Sequence, residues 1–164
     1  MAAHRTHPFI TIWDDHEVSN NSYKDGAQNH QEDEGSYEDR KSAAVQTYYE
    51  WLPIREDGQL YRKFAFGDLV DLIMLDERLV GRTKPADSVG DPALLEPSRT
   101  MLGDVQLSWL KDQLSNSTAQ WKVIGNQVIF SYLNWGHDSF SINMDSWDGY
   151  PAEQAAYFRP HSRQ

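Results

Sequence analysis

An apolar run that stops abruptly in polar residues limits what this chain can be more than any other stretch. Residues 9–13 read Phe-Ile-Thr-Ile-Trp, and Asp14, Asp15, His16, Glu17, Val18, Ser19, Asn20 and Asn21 follow. The pattern predicts a buried strand that delivers polar side chains at its carboxyl end. In open α/β sheets ligands sit there, because the strand brings side chains to a crevice while the following loop is free to adopt site geometry. Asp14, Asp15, Glu17, Asn20 and Asn21 offer hard oxygen donors suited to a divalent cation. His16 suits ligation, proton donation or anion stabilisation. A plain strand-to-loop turn with solvated acids and a capping Asn fits the same residues equally well.

Six Trp, eight Tyr and six Phe within 164 residues, at 39% hydrophobic content, supply one folded core and exclude a disordered composition. The formal net charge of −10 argues against general binding to nucleic acid or to an anionic membrane surface. An acidic enzyme working on phosphate esters would need metal ions to invert the local field. No Cys is present, so neither a disulfide nor a zinc–thiolate site forms within the chain. The first eight residues lack an apolar leader, and no run of spanning length follows. Because the site-like strand opens the chain before any supporting α/β unit, the expectation is a chain cut short at that end.

The segment 22–35 is polar and acidic and reads as a solvated surface loop. Ser36 to Asp39 resembles a capping box, and Ala44, Tyr48, Trp51 and Leu52 then recur on one helical face until Pro53 closes the segment. A turn over Glu56, Asp57 and Gly58 leads to β-rich runs over 60–66 and 69–75, divided by Gly67 and Asp68, which predict an antiparallel hairpin. The second run breaks into Asp76, Glu77 and Arg78. Arg78 is of the type that clamps phosphate oxygens with a planar fork, with Asp76 to orient it; a surface Asp/Arg pair ending a strand is the simpler alternative. Pro85, Gly90, Pro92 and Pro97 make residues 82–98 a long loop. Leu102, Leu107, Leu110 and Leu114 mark a helix, and residues 121–130 a further strand, the order expected of an α/β layer. Tyr132, Trp135, His137, Phe140, Met144, Asp145, Trp147, Asp148 and Tyr150 then form an aromatic and polar segment that suits either a pocket wall or a packed irregular loop.

Taken together, these pieces resemble the PhoD-like alkaline phosphatase and phosphodiesterase group, distant members of the calcineurin-like metallophosphoesterases. The stretches that carry the resemblance are residues 13–17 with Asn20 and Asn21, 66–69 leading to 75–78, 99–103 with Gln106, Trp109 and Leu110, 121–124 with Gln127 and Val128, and 145–151. They span about residues 9–153, and their joint order is more specific than any one of them.

The resemblance implies an α/β layered sandwich, part of a metallophosphatase catalytic domain, whose strand ends hold a cluster of calcium and iron against which a phosphate ester is hydrolysed. It carries Asp15 over as metal ligand, with Asn21 and Asp14 as further candidates, and His16 as the group that stabilises or protonates the leaving oxygen. Arg78 is expected in catalysis and substrate binding, and Trp147 and Tyr150 at the substrate. Relatives of this type are usually secreted or extracytoplasmic. The upstream Asp, Cys and Tyr ligands and the late Gly-Asp-x-His segment of the family have no counterpart here, and residues 154–164 leave its pattern, with Pro160 opposing a continued helix. Two functions follow: a metal-dependent phosphoester hydrolase with an incomplete catalytic domain, or a non-catalytic acidic module that binds calcium or a partner.

Overall fold

The computed structural model describes residues 2–55, 58–59, 61–131 and 142–157. Glu56, Asp57, Leu60, Tyr132, Trp135, His137, Phe140 and Pro160, which figure in the expectations above, lie outside the described residues.

The predicted hairpin forms, and a third strand completes a mixed sheet. Strands β1 (Arg62–Phe66) and β2 (Val70–Met74) pair antiparallel from Phe66↔Val70 to Arg62↔Met74. Gly67 turns the chain between them at φ +56, a conformation that a Cβ disfavours. Strand β3 (Trp121–Gly125) lies parallel to β2 on its other side. Parallel neighbours need a crossover, and the helix α3 (Gly103–Asn116) supplies it. Leu110 of α3 is fully buried in a core with Ile73, Leu75, Met101, Leu102, Trp147 and Tyr150, against which Leu107, Leu114 and Ile124 also pack. Two shorter helices, α1 (Ala2–Thr6) and α4 (Pro151–Tyr157), stand at the ends of the described chain.

A second apolar cluster holds the N-terminal part. Helix α2 (Tyr37–Trp51) begins where Ser36 Oγ accepts from the Asp39 N–H at 3.3 Å, which is the Ser half of the expected capping box. Its inner face, Tyr37, Ala44, Val45 and Tyr48, closes over Trp13, Val18, Ala27 and Leu79. Trp51 does not share that face as expected: it is the last residue of the helix, beyond the edge of the cluster, and 69% exposed.

Two strand expectations are corrected. Residues 9–13 pair with no strand among the described residues, because their polar groups are taken by side chains instead. Thr11 O accepts from Arg62 Nη2 at 2.6 Å, Thr11 Oγ1 from the Tyr48 hydroxyl at 2.8 Å, and Trp13 O from the Gln127 amide. Trp13 is buried all the same, so the run anchors the following loop without being a strand. Strand β3 stops at Gly125, short of Phe130, because the Gln127 and Val128 N–H groups turn to Glu77 Oε2, at 2.8 and 3.0 Å.

Gly81 lets the chain after β2 press against the start of α3: a Cβ there would lie 1.8 Å from the Leu102 carbonyl oxygen. Gly81→Ala is expected to cost about 2 kcal/mol, as overpacking against rigid backbone does. Denaturant unfolding checks it, and an unchanged midpoint would mean that the two segments stand apart in solution.

Candidate active site

The turn after Trp13 is built on Asp15. Its carbonyl accepts from the Val18 and Ser19 N–H groups at 3.0 and 2.8 Å, and its buried carboxylate accepts from the Asn21 N–H at 2.7 Å. Asn21 takes φ +53, the one positive value outside glycine among the described residues, which Asn tolerates better than most side chains. Burial on its own would raise the Asp15 carboxyl; the Asn21 N–H, the Arg78 guanidinium and His16 outweigh it and hold the group below its usual value. His16 projects outward, its side chain 78% exposed, with Nε2 3.1 Å from Asn20 Oδ1 and 3.8 Å from Asp15 Oδ2. Asp14 is half-exposed, and Glu17 Oε2 accepts its backbone N–H at 2.8 Å.

Beneath this turn lie Asp76, Glu77 and Arg78, and the structure overturns the surface-pair alternative: all three are buried. Asp76 Oδ1 accepts from the backbone N–H groups of Arg78 and Leu79, at 2.8 and 2.7 Å, so it shapes the turn that presents Arg78 and leaves the guanidinium to others. Arg78 Nε donates to Asp14 Oδ1 at 2.6 Å, while Nη1 and Nη2 grip both oxygens of Asp145 at 2.7 and 2.9 Å. Asp15 Oδ1 stands 3.9 Å from Nη2. Burial would lower the guanidinium's pKa, but Asp145, Asp14 and Asp15 reverse that and keep it charged. The fork that sequence reasoning aimed at a phosphate is therefore closed on carboxylates, with bidentate geometry of the strong kind.

Two members of this network, Arg82 and Asp145, have no individual role in the sequence reading, which names Asp145 only as part of the aromatic and polar segment. Arg82 is fully buried and donates from Nη2 to Asp145 Oδ1 at 2.5 Å and from Nε to the Tyr150 hydroxyl at 3.1 Å. Asp145 thus answers two arginines. The only signal for it was its place two residues before Trp147, at the head of the aromatic motif. Trp147 and Tyr150, expected at the substrate, are fully buried behind the turn. The Trp147 indole donates to Glu77 Oε1 at 2.7 Å, and the Tyr150 ring lies 5.3 Å from the Arg82 guanidinium and 4.9 Å from that of Arg99. The structure so brings Asp14, Asp15, His16, Asn21 and Arg78 together, and sets Trp147 and Tyr150 as their packed support.

Asp15 and Asn21 beside Asp14 are oxygen donors of the right type for a hard cation. They do not make a full set: among the described residues no group of three His, Cys, Asp or Glu is placed to hold a metal ion. A cleft of about 460 Å³ opens beside the turn, and Asn21 and Asp145 are among its lining residues.

The family model for PhoD-like phosphatases matches residues 1–163. The chain belongs to the PhoD-like phosphatase family. It is 38% identical to alkaline phosphatase D of Bacillus subtilis (strain 168), over 93% of this chain and 28% of that protein. A solved structure of PhoD superposes with a TM-score of 0.76 at 38% identity, over 88% of this chain and 30% of that one. The chain thus spans less than a third of the length of these relatives, and its mixed α/β fold matches the solved PhoD structure over 88% of this chain. The family match runs on through residues 154–163, and a helix over Pro151–Tyr157 begins the stretch that the sequence reading set apart. No helix among the described residues is long and apolar enough to cross a membrane.

Proposed function

We propose that the chain forms part of the catalytic domain of a metal-dependent phosphoester hydrolase of the alkaline phosphatase D type. The observation that carries this reading is the convergence of Asp14, Asp15 and Asp145 on buried Arg78 beneath the exposed His16, in a chain matched by the family model along its length. Calcium and iron, bound by Asp15 and Asn21 with donors beyond the described residues, would polarise the phosphoryl oxygens and acidify the attacking water. His16 faces solvent at the same turn and is placed to protonate or stabilise the leaving oxygen. Arg78 and Asp145 fix the turn in position from below. The sheet serves as one layer of a larger sandwich, for which its exposed Phe66, Trp121 and Val123 offer an apolar face.

The partial donor set favours little turnover by this chain on its own, and a segment exchange tests the reading directly. Residues 1–163 placed in the matching stretch of the B. subtilis protein should support hydrolysis of aryl phosphate esters, and His16→Ala in that chimera should lower kcat about a hundredfold with metal content unchanged. A folded, metal-loaded chimera without turnover would sink the proposal. It would leave the second reading, a non-catalytic module that binds calcium or a partner, in which the Arg78 fork, closed on Asp14 and Asp145, is structural.

A further inference from the structure

We infer that the cleft beside the Asp14 to Asn21 turn is the subsite for the alcohol portion of the ester, and that it selects a monosaccharide-sized, hydroxyl-rich group. The inference rests on the phosphoester reading above and adds the substrate class. The cleft, about 460 Å³, falls within the range of small-molecule sites, and its lining includes Asp145, the partner of Arg78, and Asn21, a proposed metal ligand, so it adjoins the corner where a metal-held phosphate would sit.

The walls are fixed in place. Tyr23 and Gly26 form a bridge, Lys24 N donates to Arg82 O at 3.0 Å, and the Tyr37 hydroxyl donates to Tyr23 O at 2.9 Å. Gln28 N donates to Asn20 O at 3.0 Å on one side, and on the other Arg99 Nη1 donates to Lys84 O at 2.9 Å. Loops tied at this many points form a cavity that exists before a ligand arrives, which lowers the ordering cost of binding.

The chemistry of the lining sets the class. Asn21, Gln28, Gln31 and Asn143 line it with side-chain amides. Gln28 Oε1 accepts from Asn20 and Asn21 Nδ2, Gln31 Nε2 donates to Gln28 O, and Asn143 Oδ1 accepts from the Asp145 N–H. That leaves Asn21 Oδ1, Gln28 Nε2 and Asn143 Nδ2 for a ligand, beside Lys84, 3.8 Å from Asp87. Hydroxyl groups, themselves donor and acceptor at once, satisfy such a lining. An aryl or alkyl alcohol of the same size would cover these groups and leave them unpaired, and sites built of hydrogen-bonding groups reject such analogues strongly.

Binding to the chimera of residues 1–163 with the B. subtilis protein, with calcium and iron supplied, is measured for inorganic phosphate, glucose 6-phosphate and cyclohexylmethyl phosphate, the last two matched in ring size and linkage. Glucose 6-phosphate is expected to bind at least about tenfold more tightly than the cyclohexyl ester. The double variant Gln31→Leu/Lys84→Met, both exposed positions, should bring that ratio close to one. Inorganic phosphate binding with equal affinity for the two esters would overturn the subsite while leaving the phosphate corner standing. A sugar preference that survives in the double variant would place the sugar elsewhere and overturn it as well. Failure of all three ligands to bind would remove the phosphoester reading and the subsite together.

Discussion

Replacing Arg78 with Met is expected to destabilise the fold by about 3 kcal/mol, because one cation there neutralises three carboxylates from two distant stretches of chain. Its side chain is 2% exposed, and its donors reach Asp14 and both oxygens of Asp145, with Asp15 at 3.9 Å. Removing one member of a buried pair strands its partner, and the usual cost of that is about 3–5 kcal/mol. The lower end applies here. Arg82 still holds Asp145 at 2.5 Å, and the half-exposed Asp14 can turn to water, which leaves Asp15 as the carboxylate with most to lose. Denaturant unfolding of the wild type and Arg78→Met gives the difference, and a loss below about 1 kcal/mol would mean that these carboxylates are solvated. Arg78→Lys separates structure from recognition: it keeps the charge but cannot copy the planar fork, so it should lose part of that stability. If phosphate or vanadate affinity falls while stability holds, the fork faces ligand and the carboxylate clamp is not its working state.

The hairpin, α2, α3 and the polar turn were legible in the sequence because each is set locally. Gly67 marks its own turn, the leucines of α3 recur at helical spacing, and Ser36 caps its helix. What escaped was set by partners far along the chain. Residues 9–13 have the composition of a strand, but strand identity needs a neighbour, and Arg62, Tyr48 and Gln127 side chains take its polar groups instead. Nothing near residue 127 announces that its N–H will leave the sheet for a carboxylate fifty residues earlier. Burial inverted the reading of charge for the same reason. A sequence in which Asp76, Glu77 and Arg78 end a strand gives no sign that Asp14 and Asp145 will meet them, since the partners are 64 and 67 residues away. The Asp and His residues near Trp147 and Tyr150 suggest a pocket wall, whereas groups far along the chain satisfy their polar ends inside the core: Glu77 accepts from the indole, and the phenol donates to Thr83 O and accepts from Arg82.

Stability should fall by about 3 kcal/mol as pH rises from below 5 to above 7, through the titration of Glu77. Burial raises this carboxyl from 4.5 to about 7, in spite of the Val128 and Gln127 N–H groups, the Trp147 indole and Arg82, which pull the other way. Between those two values the folded chain keeps a proton that the unfolded chain has released, so the unfolded state binds fewer protons and rising pH works against folding. The stabilisation is therefore complete below the unfolded value and gone above the folded one. Asp76 and Glu153 are shifted in the same direction by burial, so the titration needs a variant to isolate it. Glu77→Gln supplies one: it cannot titrate, and its pH dependence between 5 and 8 should be flatter by the full Glu77 contribution. It should also be less stable than the wild type at pH 5, by about 1–3 kcal/mol, because its NH2 group meets the Trp147 indole N–H, donor against donor. Equal slopes for the two proteins would show that Glu77 stays ionised throughout, its three donors outweighing the cost of burial. The outcome bears on the site as well as on the fold. Glu77 holds the backbone of Gln127, whose side chain is tied to Trp13 O, immediately before the turn that carries Asp14, Asp15 and His16.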